Sequence, residues 1–147
     1  MTDNIWARFD GMASTTEVEE ASKNLFVKPT EGKHNVEVMS IEPAETQQGT
    51  PIVKFKFRDT ENNGLFMHSM FLTNANYPER TPEAIAQVLR FVKELTDTEI
   101  KFSSFSKMCD ELTELDITGL EKELNVHYKD ENAKYPMITV VGNALPF

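Results

Sequence analysis

The feature that most limits the possible folds is a strictly alternating stretch in the middle of the chain. In residues 52–58, which read Ile-Val-Lys-Phe-Lys-Phe-Arg, apolar and basic side chains alternate from position 53 onward. Successive side chains of a β-strand point to opposite faces, so this period of two predicts a strand with one buried face and one exposed face. The core-facing members are Val53, Phe55 and Phe57. The members that form a row of cations on the other face are Lys54, Lys56 and Arg58.

Turn and helix signals divide the rest of the chain into further elements. Asn63-Gly64 predicts a hairpin turn after the alternating strand, because both residue types accept a positive φ. Thr81-Pro82-Glu83 predicts a helix start, with Thr81 as the N-cap. A second helix is expected from Ser103 or Ser104, and a short one from Ser14. Strands are expected at 33–41, 52–58, 65–73, 124–129 and 135–141, with a polar loop at 43–51.

The resulting order is β-β-β-α-(α)-β-β after an N-terminal arm. Alternating βα units are missing, which disfavours a doubly wound parallel sheet. Three strands, a helix and a closing hairpin is the order of the OB-fold, so we predict a mainly β protein with helices that forms an OB-like β-barrel. The alternative is an open α+β sheet with helices on one face. The expected divisions are an extension at 1–30, in which Trp6 and Phe9 anchor the arm, an OB-like domain at 31–143 and a C-terminal tip at 144–147.

Composition excludes several classes of function. The chain has 15 basic and 24 acidic residues, a formal net charge of −9, which rules out coating of duplex DNA by bulk charge. The single cysteine, Cys109, cannot form an intrachain disulfide, so a secreted disulfide scaffold is excluded. No apolar run approaches the roughly 20 residues of a membrane span. Residues 1–4 lack the basic and apolar regions of a signal peptide, so we expect a cytoplasmic protein without membrane contact.

The acidic residues are concentrated in one segment. Residues 81–123, which read as helical, carry ten acidic and five basic side chains. One interpretation is a solvated helix face. The other interpretation is that the acidic residues are confined to this segment, so that a different face of the fold is basic and binds a polyanion.

No short motif of a common catalytic or nucleotide site occurs in the chain. The patterns G-x-x-x-x-G-K-[ST], G-x-G-x-x-G, G-x-S-x-G and H-E-x-x-H are all missing. His34, His68 and His127 fall in three different strands without a close-spaced pair, so no zinc site is expected. Cys109 lies in an apolar helical pattern and is expected to be a small core residue. We therefore predict a protein that is not an enzyme, with no catalytic residue, metal or cofactor.

The remaining chemistry is that of single-stranded nucleic acid binding. Such binding needs cations that follow the backbone and flat side chains on which bases stack. The cation row provides the first, although a surface strand of any amphipathic sheet has a similar pattern. The candidate stacking residues are Phe66, His68, Tyr77, Tyr128 and Tyr135. Lys129 and Lys134 flank the turn of the last hairpin, which borders the binding face of an OB-fold. The predicted site is Lys54, Lys56, Arg58, His68, Tyr77, Tyr128, Lys129, Lys134 and Tyr135.

Two parts of the chain resemble small single-stranded DNA-binding proteins encoded by phages and prophages. Residues 29–38 and 50–57 are similar to the first two strands of these proteins, and residues 120–128 and 135–142 are similar to their closing hairpin. The resemblance spans residues 29–147. It implies an OB-fold and sequence-independent binding of single-stranded DNA during phage DNA replication or recombination, in the cytoplasm of the host cell. We also expect a homo-oligomer.

The end of the sequence resembles the C-terminal tip of bacterial single-strand-binding proteins. The shared residues are Leu145, Pro146 and Phe147, whereas residues 142–144 replace the acidic run that precedes the tip in those proteins. The resemblance implies that the tip binds host or phage replication and recombination proteins through the ring and carboxylate of Phe147. The alternative is that Phe147 packs on its own barrel. A different function, a phage protein–protein interaction module that binds a host factor, also fits the net charge of −9, since DNA mimics are acidic.

Overall fold

One antiparallel sheet of five strands organises the protein. The computed structural model describes residues 5–22, 28–73 and 76–143. The strands are β1 (Gly32–Glu45), β2 (Pro51–Asp59), β3 (Leu65–Phe71), β4 (Glu121–His127) and β5 (Met137–Asn143), in the sheet order β3-β2-β1-β4-β5. The α-helices are α1 (Thr15–Ser22), α2 (Thr81–Thr96) and α3 (Phe105–Thr113), and single 3-10 turns lie at Ala7–Phe9 and Pro78–Arg80. The predicted element order is therefore confirmed.

Strand β1 is long because it pairs with two neighbours along different parts of its length. It pairs with β4 from Gly32 to Glu37 and with β2 from Val36 to Glu45. An irregularity between Val38 and Ser40 shifts the alternation of its side chains. Such a bulge bends a strand and changes which residues face inward, so Val38 and Ile41 are both buried although they are three positions apart.

The core lies on one face of the sheet, where α2 and α3 both pack. Helix α2 contacts β3 and β5, and α3 contacts β1. The ring centroids of Phe55 on β2 and Phe91 on α2 are 4.8 Å apart in an edge-to-face arrangement, which is a favourable aromatic contact. The helix residues buried in this core are Ile85, Val88, Phe91, Val92, Leu95, Met108 and Leu112.

The sheet is not closed into the expected barrel. Within the described residues, β3 and β5 form no hydrogen-bonded ladder and remain the two edges of the sheet. Helix α2 packs against both edge strands and buries its apolar side chains there, so the edges are held by the helix rather than by direct strand pairing. The alternative prediction, an open sheet with helices on one face, describes the observed architecture.

Most local signals were correct. Ser14 and Glu17 form a reciprocal capping box at α1, since each backbone N–H donates to the other side chain at 3.1 Å. Ser104 caps α3, and its hydroxyl accepts from the Lys107 N–H at 3.2 Å. Asn63 has a φ of 59° at the predicted hairpin turn. The N-cap of α2 is Arg80 rather than Thr81, because the 3-10 turn before it leads directly into the helix.

Three expectations were wrong. The loop expected at 43–51 is shorter, because β1 continues to Glu45. Pro43 fits in this strand because β4 pairs with β1 only as far as Glu37, so the far part of β1 has a free edge. Cys109 is exposed, and its neighbour Met108 fills the core instead. Trp6 remains 71% exposed and Phe9 is exposed as well, so neither anchors the arm in the core.

No helix in the described part of the chain is long and apolar enough to cross a membrane.

Candidate nucleic-acid interface

The row of cations on β2 lies on the face of the sheet opposite to the core, as the alternation predicted. The three cations of this row, Lys54, Lys56 and Arg58, are half-buried. The residues between them, Phe55 and Phe57, are fully buried. Because a strand rises about 3.3 Å per residue, successive cations are about 7 Å apart. The three side chains therefore form a regular line of positive charge along one strand.

Strand β3 places uncharged and apolar side chains beside these cations. In the β2–β3 register, Lys54 is opposite Ser69 and Lys56 is opposite Met67. Phe71, at the end of the same face, is 56% exposed, and Met67 is exposed as well. We name this surface the strand patch. Its members are Lys54, Lys56, Arg58, Met67, Ser69 and Phe71.

Among the described strand residues paired with the cation row, the acidic ones lie on the β1 side. Glu42 is opposite Lys54 and Glu37 is opposite Arg58. Even so, no hydrogen bond or salt bridge with any described residue engages Lys54 or Arg58, and the Arg58 Nε is a buried donor without a protein partner. A buried unpaired donor carries a desolvation cost that an acceptor at the surface would remove. The two carboxylates thus lie on the β1 side of the cation row, whereas its β3 side carries Ser69 and Met67.

His68 was predicted as a stacking residue, but its ring faces the core. The His68 ring centroid lies 5.5 Å from that of Phe91 and 6.3 Å from that of Phe55. Burial lowers the pKa of His68 from 6.5 to about 4. Phe66, another candidate, is also buried on this face. The exposed aromatic ring on β3 is instead Phe71, which the sequence interpretation missed.

The last hairpin presents the other predicted cations. Lys129, Lys134 and Tyr135 are exposed, and the Lys134 Nζ lies 5.4 Å from the Tyr135 ring centroid. Tyr135 is 76% exposed, so its ring is free to stack. Asp130 and Glu131 lie in the same turn and offset the charge of the two lysines. We name Lys129, Lys134 and Tyr135 the hairpin patch.

Tyr128 is held by the segment that precedes β1 and is not a free stacking surface. The Lys28 Nζ lies 4.7 Å from the Tyr128 ring centroid and donates to the Ala133 carbonyl at 3.2 Å. The Tyr128 hydroxyl donates to the Pro29 carbonyl. Partial burial and the nearby Glu31 carboxylate raise the pKa of Tyr128. Tyr128 therefore fixes the hairpin to the arm.

The structure does not bring the two patches together. Arg58 is opposite Glu37 on β1, whereas the hairpin begins beyond Val126, the partner of Gly32. The separation along β1 is roughly 20 Å. Tyr77, in the loop after β3, is exposed and has the Arg80 guanidinium 5.1 Å from its ring centroid.

The remaining predicted site residues lie outside the described part of the chain. These are Leu145, Pro146 and Phe147. Among the described residues, no group of three or more His, Cys, Asp or Glu side chains is placed to hold a metal ion.

Comparison with known proteins gives no relative from which a function can be transferred. No family model matches the chain, and no curated protein sequence is significantly similar to it.

Proposed function

We propose that the protein binds single-stranded DNA without sequence preference through the strand patch. The observation that carries this proposal is the line of three cations beside the exposed Phe71. Cations at regular spacing pair with successive phosphates, and an exposed aromatic ring stacks on a base. A base in a duplex is already stacked and paired, so the same surface favours single strands.

We further propose that the sheet is an open form of the OB-fold. In support, β1 pairs with both β2 and β4, a helical segment follows β3, and only a β3–β5 ladder is missing from the five-stranded ring. OB-folds bind oligonucleotides on the face of their second and third strands, which is the location of the strand patch. In this proposal the bound DNA strand is centred on the strand patch and continues toward the hairpin patch.

The biological setting that we propose is phage DNA replication or recombination in the host cytoplasm, as a homo-oligomer without catalytic activity. The resemblance of residues 29–147 to phage-encoded proteins supports this setting.

Titration of labelled poly-dT by fluorescence anisotropy tests the proposal. We expect tight binding to poly-dT, much weaker binding to a duplex of the same length, and a log–log salt slope of about −2, since three neutralised phosphates contribute about −0.7 each. Phe71→Ala should weaken binding by roughly 5-fold to 150-fold, because stacking on one aromatic ring contributes about 1–3 kcal/mol. Phe102→Ala, which removes an exposed ring on the helical side, is the matched control and should bind as the parent does. Equal affinity for duplex and single strand would contradict the proposal.

We also propose that Leu145, Pro146 and Phe147 bind replication or recombination proteins. The support is the similarity of these residues to the tip of bacterial single-strand-binding proteins. Deletion of residues 145–147 is expected to leave both the melting temperature and the poly-dT affinity unchanged while removing the capture of such partners. A drop of several degrees in melting temperature would instead assign Phe147 to the protein's own core.

A further inference from the structure

Two aromatic rings are exposed at the α2–α3 loop, Phe102 within the loop and Phe105 at the first residue of α3. Phe102 is 41% exposed and Phe105 is 43% exposed, and their ring centroids are 5.4 Å apart with the ring planes at 80°. The loop joins the two helices that pack on the core face. An exposed aromatic pair adds little to folding, and such patches on monomers commonly mark contact sites.

Two apolar cavities flank this aromatic pair. Phe102 lines a cavity of about 230 Å³ together with Pro82, Ile85, Ala86 and Leu89 of α2, at the edge of the core. Phe105 lines a second cavity of about 370 Å³, whose apolar walls include Ile52, Leu72, Met108 and Leu112 and whose rim includes Glu45 and Ser106. Side chains that enter pockets of this kind are the usual energetic centres of protein interfaces.

A third cavity beside the same loop is acidic. It has a volume of about 420 Å³ and is lined by Glu99, Glu111 and Glu114, with Lys101 as its single basic residue. Within the described residues, no salt bridge neutralises any of these three carboxylates. Residues 98–101 line this cavity, and Phe102 and Phe105 line the other two, so the three cavities surround one loop.

We propose that this loop and its three cavities form a docking surface for a basic, apolar segment of a protein partner. Apolar side chains of the partner occupy the cavities beside Phe102 and Phe105, and a Lys or Arg side chain enters the acidic cavity. Charge complementarity identifies the occupant, because the three carboxylates repel both nucleic acid and an anionic membrane and attract a basic peptide. The proposal does not depend on DNA binding, since the surface shares no residue with the strand patch.

A pair of model peptides tests the docking surface directly. A fluorescein-labelled amphipathic helix of leucine and lysine is titrated with the full-length protein, and a leucine–glutamate peptide of the same pattern is the control. We expect the leucine–lysine peptide to bind and the leucine–glutamate peptide not to bind. Both Phe102→Ala/Phe105→Ala and Glu99→Gln/Glu111→Gln/Glu114→Gln should weaken this binding at least 10-fold. Tyr135→Ala, which removes an exposed ring that lines none of the three cavities, should have no effect on the peptide.

Two outcomes would overturn the proposal. One is parental affinity of the leucine–lysine peptide for either multiple variant. The other is equal affinity of the parent for both peptides. The glutamine variant changes exposed or half-exposed side chains without removing volume, so it keeps the test decisive if the double alanine variant proves unstable. Poly-dT affinity, measured on the same samples, is expected to be unaffected by either variant, which separates this surface from the proposed DNA site.

Discussion

Replacing Lys54 and Lys56 together by glutamate is expected to weaken binding of poly-dT by roughly 100-fold. The change removes two of the three cations on β2 and places two carboxylates in the path of the phosphates. Like-charge contacts at a binding surface cost several kcal/mol, and about 1.4 kcal/mol corresponds to a factor of ten in affinity. The loss should be the same on poly-dA and on poly-dT, because phosphate contacts carry no sequence information.

The matched control for this variant is Lys93→Glu/Lys107→Glu, which makes the same change in net charge on α2 and α3. Both lysines are exposed. The control should lose little affinity, because its charges act on the DNA only from a distance. Salt screens such interactions beyond about 10 Å at 0.1 M ionic strength. Equal losses in the two double variants would show that total charge, rather than the strand patch, governs binding. Parental affinity of Lys54→Glu/Lys56→Glu would exclude the strand patch.

The second large effect expected is a loss of stability between pH 6.5 and pH 4 that depends on His68. Burial lowers the pKa of His68 from 6.5 to about 4, so the unfolded chain binds a proton on His68 before the folded protein does. Where the unfolded state binds more protons, the free energy of unfolding decreases as the pH falls. The stabilising contribution is complete above pH 6.5, is lost progressively toward pH 4, and amounts to about 3 kcal/mol.

Urea unfolding of the parent and of His68→Phe at a series of pH values measures this contribution. Phenylalanine has a similar shape, fits beside Phe55 and Phe91, and does not titrate. The free energy of unfolding of the variant should therefore fall less steeply between pH 6.5 and pH 4, by about 3 kcal/mol in total. His127→Gln, at an exposed position on β4, is the control and should keep the parental slope. The assignment fails if His68→Phe and the parent have the same pH dependence.

Where the sequence interpretation of the site succeeded, the signal was local. The faces of β2 were predicted correctly because alternation requires only the geometry of a single strand. Strand β3 has no such signal, since residues 65–71 carry apolar side chains on both faces. Its assignment needs the register with β2, which places His68 opposite the buried Phe55 and Met67 opposite Lys56. Phe71 could have been identified from the sequence by pairing β3 with β2 across the Asn63-Gly64 turn, because the turn sets the register of the hairpin.

The sequence by itself determined the element order, the caps of α1 and α3, the hairpin turn and the cation row, because these depend on neighbours a few residues apart. Only the tertiary structure decided that the sheet stays open, since that depends on how α2 packs against two strands distant in sequence. It also decided that Tyr128 is held by Lys28 and Pro29, about 100 positions away. The three cavities around the α2–α3 loop were likewise beyond local patterns, because their walls come from separate elements that meet only when the core is formed.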